Sequence, residues 1–360
     1  MDAKSSAHSL TLLSQILLKG VLVDDEKNDS KVSARSGRQN FTELWELATS
    51  HHVIMRAFPE LRRIPATDRE EWQALIDDAI ANEQARIKNA LSFLVEICEA
   101  LRNVGDVVVI KSLDHWPDIG NDLDLFTNAE RANVVATMRE RFDARPADRS
   151  LGDRLANKWN FVVPGLPELV EVHIGRLGQT GEQVAITDSI VGRAIDKQFG
   201  EYSFVVPAPE DRVTISTLQR MYRHFYLRLC DVVNMARLVE SGAIDYSYLR
   251  FLGRTAGLWD GIANYLVMVS EYVRSYRDDG LALPHSVTGA ARFGNARLTF
   301  RRKFLRVPIF PHAATFYLSE WKKLFFSGEI QNTLRLSLLP GLAVAAALEF
   351  KITGNDKGIW

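Results

Sequence analysis

Two aspartates one residue apart, Asp122 and Asp124, stand in a short run, 122–126, where acidic and apolar side chains alternate. Alternation of period two marks a strand. Side chains at i and i+2 share a face, so the carboxylates are forced together while Leu123 and Leu125 turn to the opposite, buried side. Side-by-side carboxylates repel each other unless a cation lies between them. Oxygen-rich pairs of this kind suit magnesium, which keeps waters and draws its remaining ligands from substrate phosphates. A third acid, Glu171, lies in the strand-like run 169–174 between Val170 and Val172, and the same alternation places His173 on its side. Carboxylates are rarely buried in apolar strands without a partner. Upstream, Lys111 and Ser112 close the β-branched run 106–110, and nine residues separate Ser112 from Asp122.

The elements that must position these groups are legible in the periodicity. Ile87, Leu91, Leu94, Cys98 and Leu101 step by four and three, which puts them on one helical face suited to packing on a sheet. Ahead of them, Thr67 and Glu70 form a capping-box pattern before Trp72, Leu75, Ile76, Ala79 and Ile80, and 41–54 is apolar on one side. Thr127 and Glu130 repeat the capping-box pattern, so a helix is expected from the end of the 122–126 strand to about Phe142. Runs 158–163 and 169–174 are joined by Pro164, Gly165, Leu166 and Pro167, a connection suited to a hairpin. From Pro207, apolar residues from Ile215 to Ala236 predict one long helix ending near Gly242, with further helices over 245–276.

Composition bounds the function classes. The chain has 360 residues, a formal net charge of -1 and only two cysteines, so no global basic field points to nucleic acid and no disulfide framework or zinc cluster is expected. A reducing cytoplasm, with an association peripheral to a membrane as the variant reading, follows from this usage. The leucine-rich first 20 residues are interrupted by Ser, Gln and Lys and predict an amphipathic helix rather than a signal peptide, followed by a polar connection over 22–40. The apolar run 336–350 is broken by Pro340 and Gly341 and predicts a buried terminal helix.

Taken in order, the strand ending in Lys111 and Ser112, the acid pair and the later acid strand resemble the polymerase-beta-like nucleotidyltransferases. In those proteins a strand and a small-residue pair precede, by about ten residues, an Asp-apolar-acid strand and a third acid. The chain looks most like the bacterial family of uncharacterised nucleotidyltransferases, whose further marks have their counterparts at Glu171 to His173, at Pro207 to Asp211 and at Asp231. Ser112 departs from the usual Gly, and the linker to Asp122 lacks an expected Arg. The resemblance spans roughly 40–275. It implies an α+β fold, with a small mixed β-sheet nucleotidyltransferase core flanked by N-terminal helices and a C-terminal helical domain. The divisions expected are 1–40, 41–205, 206–284 and 285–360. It further implies transfer of a nucleoside monophosphate from an NTP to a hydroxyl or amine on an acceptor of unknown identity. Two Mg2+ ions, with Mn2+ as substitute, would be held by Asp122, Asp124 and Glu171. Lys111 and Ser112 would meet the triphosphate, and Glu171 would complete the second metal site or accept the proton.

Several residues keep two readings. Lys111 either serves the phosphates or points to solvent, and His173 either supports Glu171 or is a satisfied core histidine. Arg220, His224, Arg228 and Asp231, spaced four, four and three, are either surface ion pairs or a cleft-lining stripe that offers Arg228 or His224 to the nucleotide. Between 285 and 335, nine Lys and Arg face only Glu320 and Glu329, with aromatics interleaved. That stretch is either a packed amphipathic helix or a contact for an anionic or membrane-surface partner. The competing functions are a nucleotide-binding module that has lost transfer, and a membrane-surface or assembly protein acting through this region.

Overall fold

The computed structural model describes residues 3–19, 38–62, 69–293 and 297–345. The expected Thr67 cap and most of the 22–40 connection lie outside them. The architecture is α+β, with small sheets among many helices. Helices α1 (Ala3–Lys19), α2 (Arg38–Ser50) and α3 (Ile54–Leu61) lead into α4 (Arg69–Arg102), a rod about 51 Å long at 1.5 Å per residue. Strand β1 (Val107–Val109), β2 (Asp122–Thr127), α5 (Arg131–Phe142), β3 (Arg145–Pro146), α6 (Leu151–Leu155), β4 (Lys158–Val162) and β5 (Leu169–Ile174) follow. They form a five-stranded sheet of order β1-β2-β5-β4-β3 in which only β2 and β5 run parallel. A parallel pair needs a long crossover, and α5 to β4 supply it.

Side-chain parity divides this sheet between two cores. Val107, Val109, Leu123, Leu125, Val170 and Val172 face one core, shared with Ile87 to Leu101 of α4 and with Val134 and Met138 of α5. Val108, Ile110 and Phe126 face the other, which is mostly helical. The stepped face of α4 thus packs on the sheet as its spacing requires, while Ile76, Ala79 and Ile80, nearer its start, join the helical core. Because α4 enters both, it braces one against the other. Strand register puts Asp122, Asp124, Glu171 and His173 on the helical side, where a small cavity lies between the sheet and the helices beside Lys111 and His173.

The helical core is built from α1 to α3 and from the segments after the hairpin β6 (Ile195–Phe199) and β7 (Tyr202–Val206), which follows α7 (Thr187–Gly192). The expected long helix over 207–242 is broken. Helix α8 (Pro209–Thr217) runs into a π-helical stretch, Leu218–His224, and the chain reverses at Phe225, φ 52°, through β8 (Tyr226–Leu227) into α9 (Leu229–Glu240). Periodicity missed the break because both pieces bury their apolar faces in the same core. Arg220 therefore belongs to no surface stripe: it is 1% exposed and pairs with Asp231 at 2.9 Å. Helices α10 (Tyr246–Ala256) and α11 (Trp259–Arg274) complete the core, and α1 docks on α11 through Ser14 Oγ and Tyr272 Oη, 2.8 Å apart.

After α12 (His285–Thr288), β10 (Phe304–Arg306) pairs with β8 on one side and with β9 (Thr299–Arg301) on the other, and α13 (His312–Phe326) and α14 (Ile330–Ser337) form a hairpin. The expected burial of 336–350 holds at Leu336 but not at Leu338 or Val344, which are 50% and 61% exposed; 346–350 lie outside the described residues. Nor does the Thr127–Glu130 capping box form. Glu130 is itself the residue preceding the first turn of α5, and Thr127 Oγ1 instead accepts the Ala129 N–H at 3.1 Å. Among the described residues no helix is long and apolar enough to cross a membrane.

Candidate active site

Parallel pairing sets Asp124 directly opposite Glu171 and Asp122 opposite Leu169. Two acids far apart in sequence therefore meet side by side on one face. Ligand atoms of Asp124, Glu171 and His173 all lie within 4.8 Å of one another. Asp122, half-buried at the start of β2, belongs to no such tight group among the described residues.

Ser112 ties the acid strand to the end of β1. Its hydroxyl accepts the Asp124 N–H at 2.7 Å and donates to the Asp122 carbonyl at 3.1 Å. Lys111, just before it, has φ 62° and ψ −55°, and the Ser112 N–H donates to the Ile110 carbonyl at 2.7 Å. This is a tight γ-turn of the rare positive-φ form. It turns Lys111 back over the sheet, so its side chain is only 11% exposed and meets the acids. The Lys111 ammonium contacts Asp124 Oδ1 and lies 3.4 Å from Glu171 Oε1.

Glu171 is the most heavily engaged of the acids. Besides Lys111, it accepts from His173 Nε2 at 2.8 Å and from Lys158 Nζ at 2.9 Å, and Lys158 also lies 2.8 Å from Asp153. Burial by itself would raise the Glu171 carboxyl; Lys111, His173 and Lys158 outweigh it and hold it well below the usual range. Burial raises Asp124 to about 7, and Glu171 and Asp122 add to the rise against the opposing pull of Lys111. The two carboxyls therefore divide their charge unequally, with Glu171 the more readily ionised. Asp122 is raised by burial and by Glu171. His173 is pushed down to about 4 by burial, so it is a neutral donor to Glu171, with Nδ1 unpartnered. It supports the acid rather than filling the core.

Lys158 escaped the sequence reading, although a signal for it existed. A turn centred between Gly165 and Leu166 pairs Lys158 with His173 and Asn160 with Glu171, the register observed. On the helical side, the π-helical stretch presents Gln219, Tyr222 and Arg223 to the cleft, as such stretches often do at sites. Gly261 lets Tyr222 sit there: a Cβ on Gly261 would meet the ring at 2.4 Å. Arg228, expected near the nucleotide, does not line the cavity that Lys111 and His173 share with Gln219, Tyr222 and Arg223. Its guanidinium lies 5.7 Å from the Tyr226 and Phe304 ring centres, though its charge still reaches Asp122.

A second group of potential ligands, His115, Cys230 and Asp231, is buried nearby. It is a poor cation site. Asp231 is neutralised by Arg220, His115 Nδ1 accepts from Asn234 at 2.8 Å, and burial with Arg220, Arg56, Arg228 and Arg212 holds the imidazole neutral. Cys98 and Cys230 are both free and buried. A cavity of about 330 Å³ is bounded by Asn121 beside Asp122 and by Glu168 beside Leu169, the strand partner of Asp122. No protein-family profile matches the chain, and no curated protein or solved structure matches it.

Proposed function

We propose that the protein is a metal-dependent nucleotidyltransferase that moves a nucleoside monophosphate from an NTP to a hydroxyl or amine acceptor. The observation that carries this reading is the pairing of Asp124 with Glu171 across β2 and β5, on a face beside a small cavity that Lys111 and His173 line. The donor set fits a hard divalent cation such as magnesium or manganese: carboxylate oxygens dominate, and a cation, the Lys111 ammonium, already lies between two of them. Asp122, Asp124 and Glu171 would hold it, and when bound it supplies charge for the triphosphate and a lowered pKa for the acceptor.

The chain's own groups do the rest. Ser112 keeps the Asp122 and Asp124 backbone in place, and His173 and Lys158 fix the two oxygens of Glu171. Arg212, Gln219 and Arg223 line the cleft where phosphates of a nucleotide would lie, and the 330 Å³ cavity at the Asp122 end has room for part of a small acceptor. Incubating the protein with each labelled NTP and magnesium, with and without cell extract, should label an acceptor and release pyrophosphate. Asp122→Asn and Asp124→Asn should each abolish both. Full activity in both variants refutes the proposal, and magnesium-dependent NTP binding without pyrophosphate release replaces it with a binding module.

A second reading concerns the α13–α14 hairpin, where Phe310, Phe326 (81% exposed), Ile330 and Leu334 are exposed together with Lys322. A contiguous exposed apolar patch marks a contact surface, and these side chains come from one hairpin and the residue just ahead of it. Co-sedimentation with anionic vesicles that is lost in Phe326→Asp with Leu334→Asp, and kept in Asp124→Asn, supports a membrane-surface role; no co-sedimentation of the unaltered protein removes it.

A further inference from the structure

The Lys111 ammonium occupies the position a cation would need. It touches Asp124 and lies 3.4 Å from Glu171, while Lys158 meets the second Glu171 oxygen at 2.9 Å. Two buried carboxylates are thus already matched by two ammonium groups. A divalent ion placed against Asp124 and Glu171 while Lys111 remains would lie beside a positive charge of the same reach, so ion and ammonium exclude one another.

Three features give Lys111 a way to leave the acids. First, the backbone at Lys111 is held in the strained positive-φ γ-turn, a conformation that persists only when its surroundings over-determine it. The contacts to Asp124 and Glu171 are what over-determine it here. Second, Lys111 and Gln219 stand between two small cavities and line both of them. One, about 40 Å³, is walled by Leu177, Ile215, Leu218 and Tyr222; the other, about 10 Å³, by Asp114, His115 and Arg212. Neither admits a nucleotide, since ligand pockets run from roughly 300 Å³ upward. Withdrawing the Lys111 side chain from the acids would remove one of the two side chains that part them. Third, Arg223 lines the larger of the two, makes no salt bridge among the described residues, and sits close enough for its charge to act on Lys111. It marks where an anion would draw the lysine.

We infer that Lys111 is a positioning residue with two stations: counter-ion of Asp124 and Glu171 when the cleft is empty, and partner of the triphosphate when a metal–nucleotide complex enters. This deepens the nucleotidyltransferase reading, on which it rests. Its consequence is an order of binding: the divalent ion enters with the triphosphate and binds poorly without it.

The test is Mn2+ binding to the full chain, read by electron paramagnetic resonance, for Mn2+ alone and for Mn2+ with ATP, GTP, CTP or UTP. The unaltered protein should bind Mn2+ weakly alone and well with its nucleotide. Lys111→Met should tighten binding of Mn2+ alone by about tenfold or more, because the competing charge is gone, and should weaken binding of the nucleotide. Lys111→Arg should keep the block. Added Mn2+ should also raise the melting temperature of Lys111→Met more than that of the unaltered protein. If Lys111→Met does not fold, Lys111→Gly, which accepts the positive φ without strain, carries the comparison. Unchanged affinity for Mn2+ alone in these variants, with Mn2+–nucleotide binding lost in Asp124→Asn, overturns the role of Lys111 and leaves the proposed function standing. Absence of Mn2+ binding in every variant, with or without nucleotide, overturns both.

Discussion

Replacing Ser112 with alanine isolates the device that holds the acid strand in place. In a regular antiparallel pair the Asp124 N–H would be met by the Ile110 carbonyl. Here the Ile110 N–H donates to the Asp124 carbonyl at 2.9 Å, but the Ile110 carbonyl is taken by the Ser112 N–H inside the γ-turn. The Ser112 hydroxyl, 1% exposed, is what remains for the Asp124 amide among the described residues. Ser112→Ala strands that buried donor, at about 1–3 kcal/mol, and removes the bond to the Asp122 carbonyl, at about 0.5–1.5 kcal/mol. The expected loss is roughly 1.5–4.5 kcal/mol in urea denaturation followed by circular dichroism. Function should suffer more than stability. A displacement of about 1 Å where ligands must converge costs on the order of a hundredfold in rate, so transfer should fall by about that factor in protein that remains folded. A variant with the midpoint and transfer rate of the unaltered protein would show that the hydroxyl clamps nothing.

Other outcomes follow from the same geometry. Glu171→Gln, like the two aspartate variants, should lose transfer while circular dichroism shows the fold retained, because Lys111 keeps Asp124 and Lys158 keeps Asp153 as partners. Affinity for Mn2+ should fall about tenfold per pH unit below about 7, where a proton on Asp124 competes with the ion, and level off above it; titrations at pH 6, 7 and 8 check this. The same raised value lets stability from Asp124 decline as pH rises from 3.8 to about 7, since the folded chain there keeps a proton that the unfolded one has released. Glu171, with its depressed value, has the opposite sign and supports the fold until acid protonates it. Arg220→Met should cost about 3–5 kcal/mol by leaving Asp231 charged and buried, and Arg220→Met with Asp231→Leu should recover most of it in the same denaturation assay.

How much of this was legible beforehand depends on the range of the interaction. Alternation alone placed Asp122 with Asp124, and Glu171 with His173, because the pleat of a strand is a local property. Steps of three and four did the same for the sheet-facing side of α4. The hairpin loop even contained the register that brings Lys158 to Glu171, although reading it required counting outward from the turn. By contrast, 215–236 read as one helix, since apolar spacing reports burial and is blind to a reversal at Phe225 when both halves enter the same core. Arg220 and Asp231 were misread for the same reason, and the apolar run after Leu336 implied a burial that Leu338 and Val344 do not have.

The chain's local chemistry thus determined which side chains share a face, and which acids stand ready to hold a cation. Tertiary structure decided that Asp124 and Glu171 are neighbours, because a parallel pairing across the 41 residues between Thr127 and Leu169 has no local signature. It also decided that Lys111 turns inward between them. That direction is set by the positive-φ turn at Lys111 together with two carboxylates that only the sheet brings side by side.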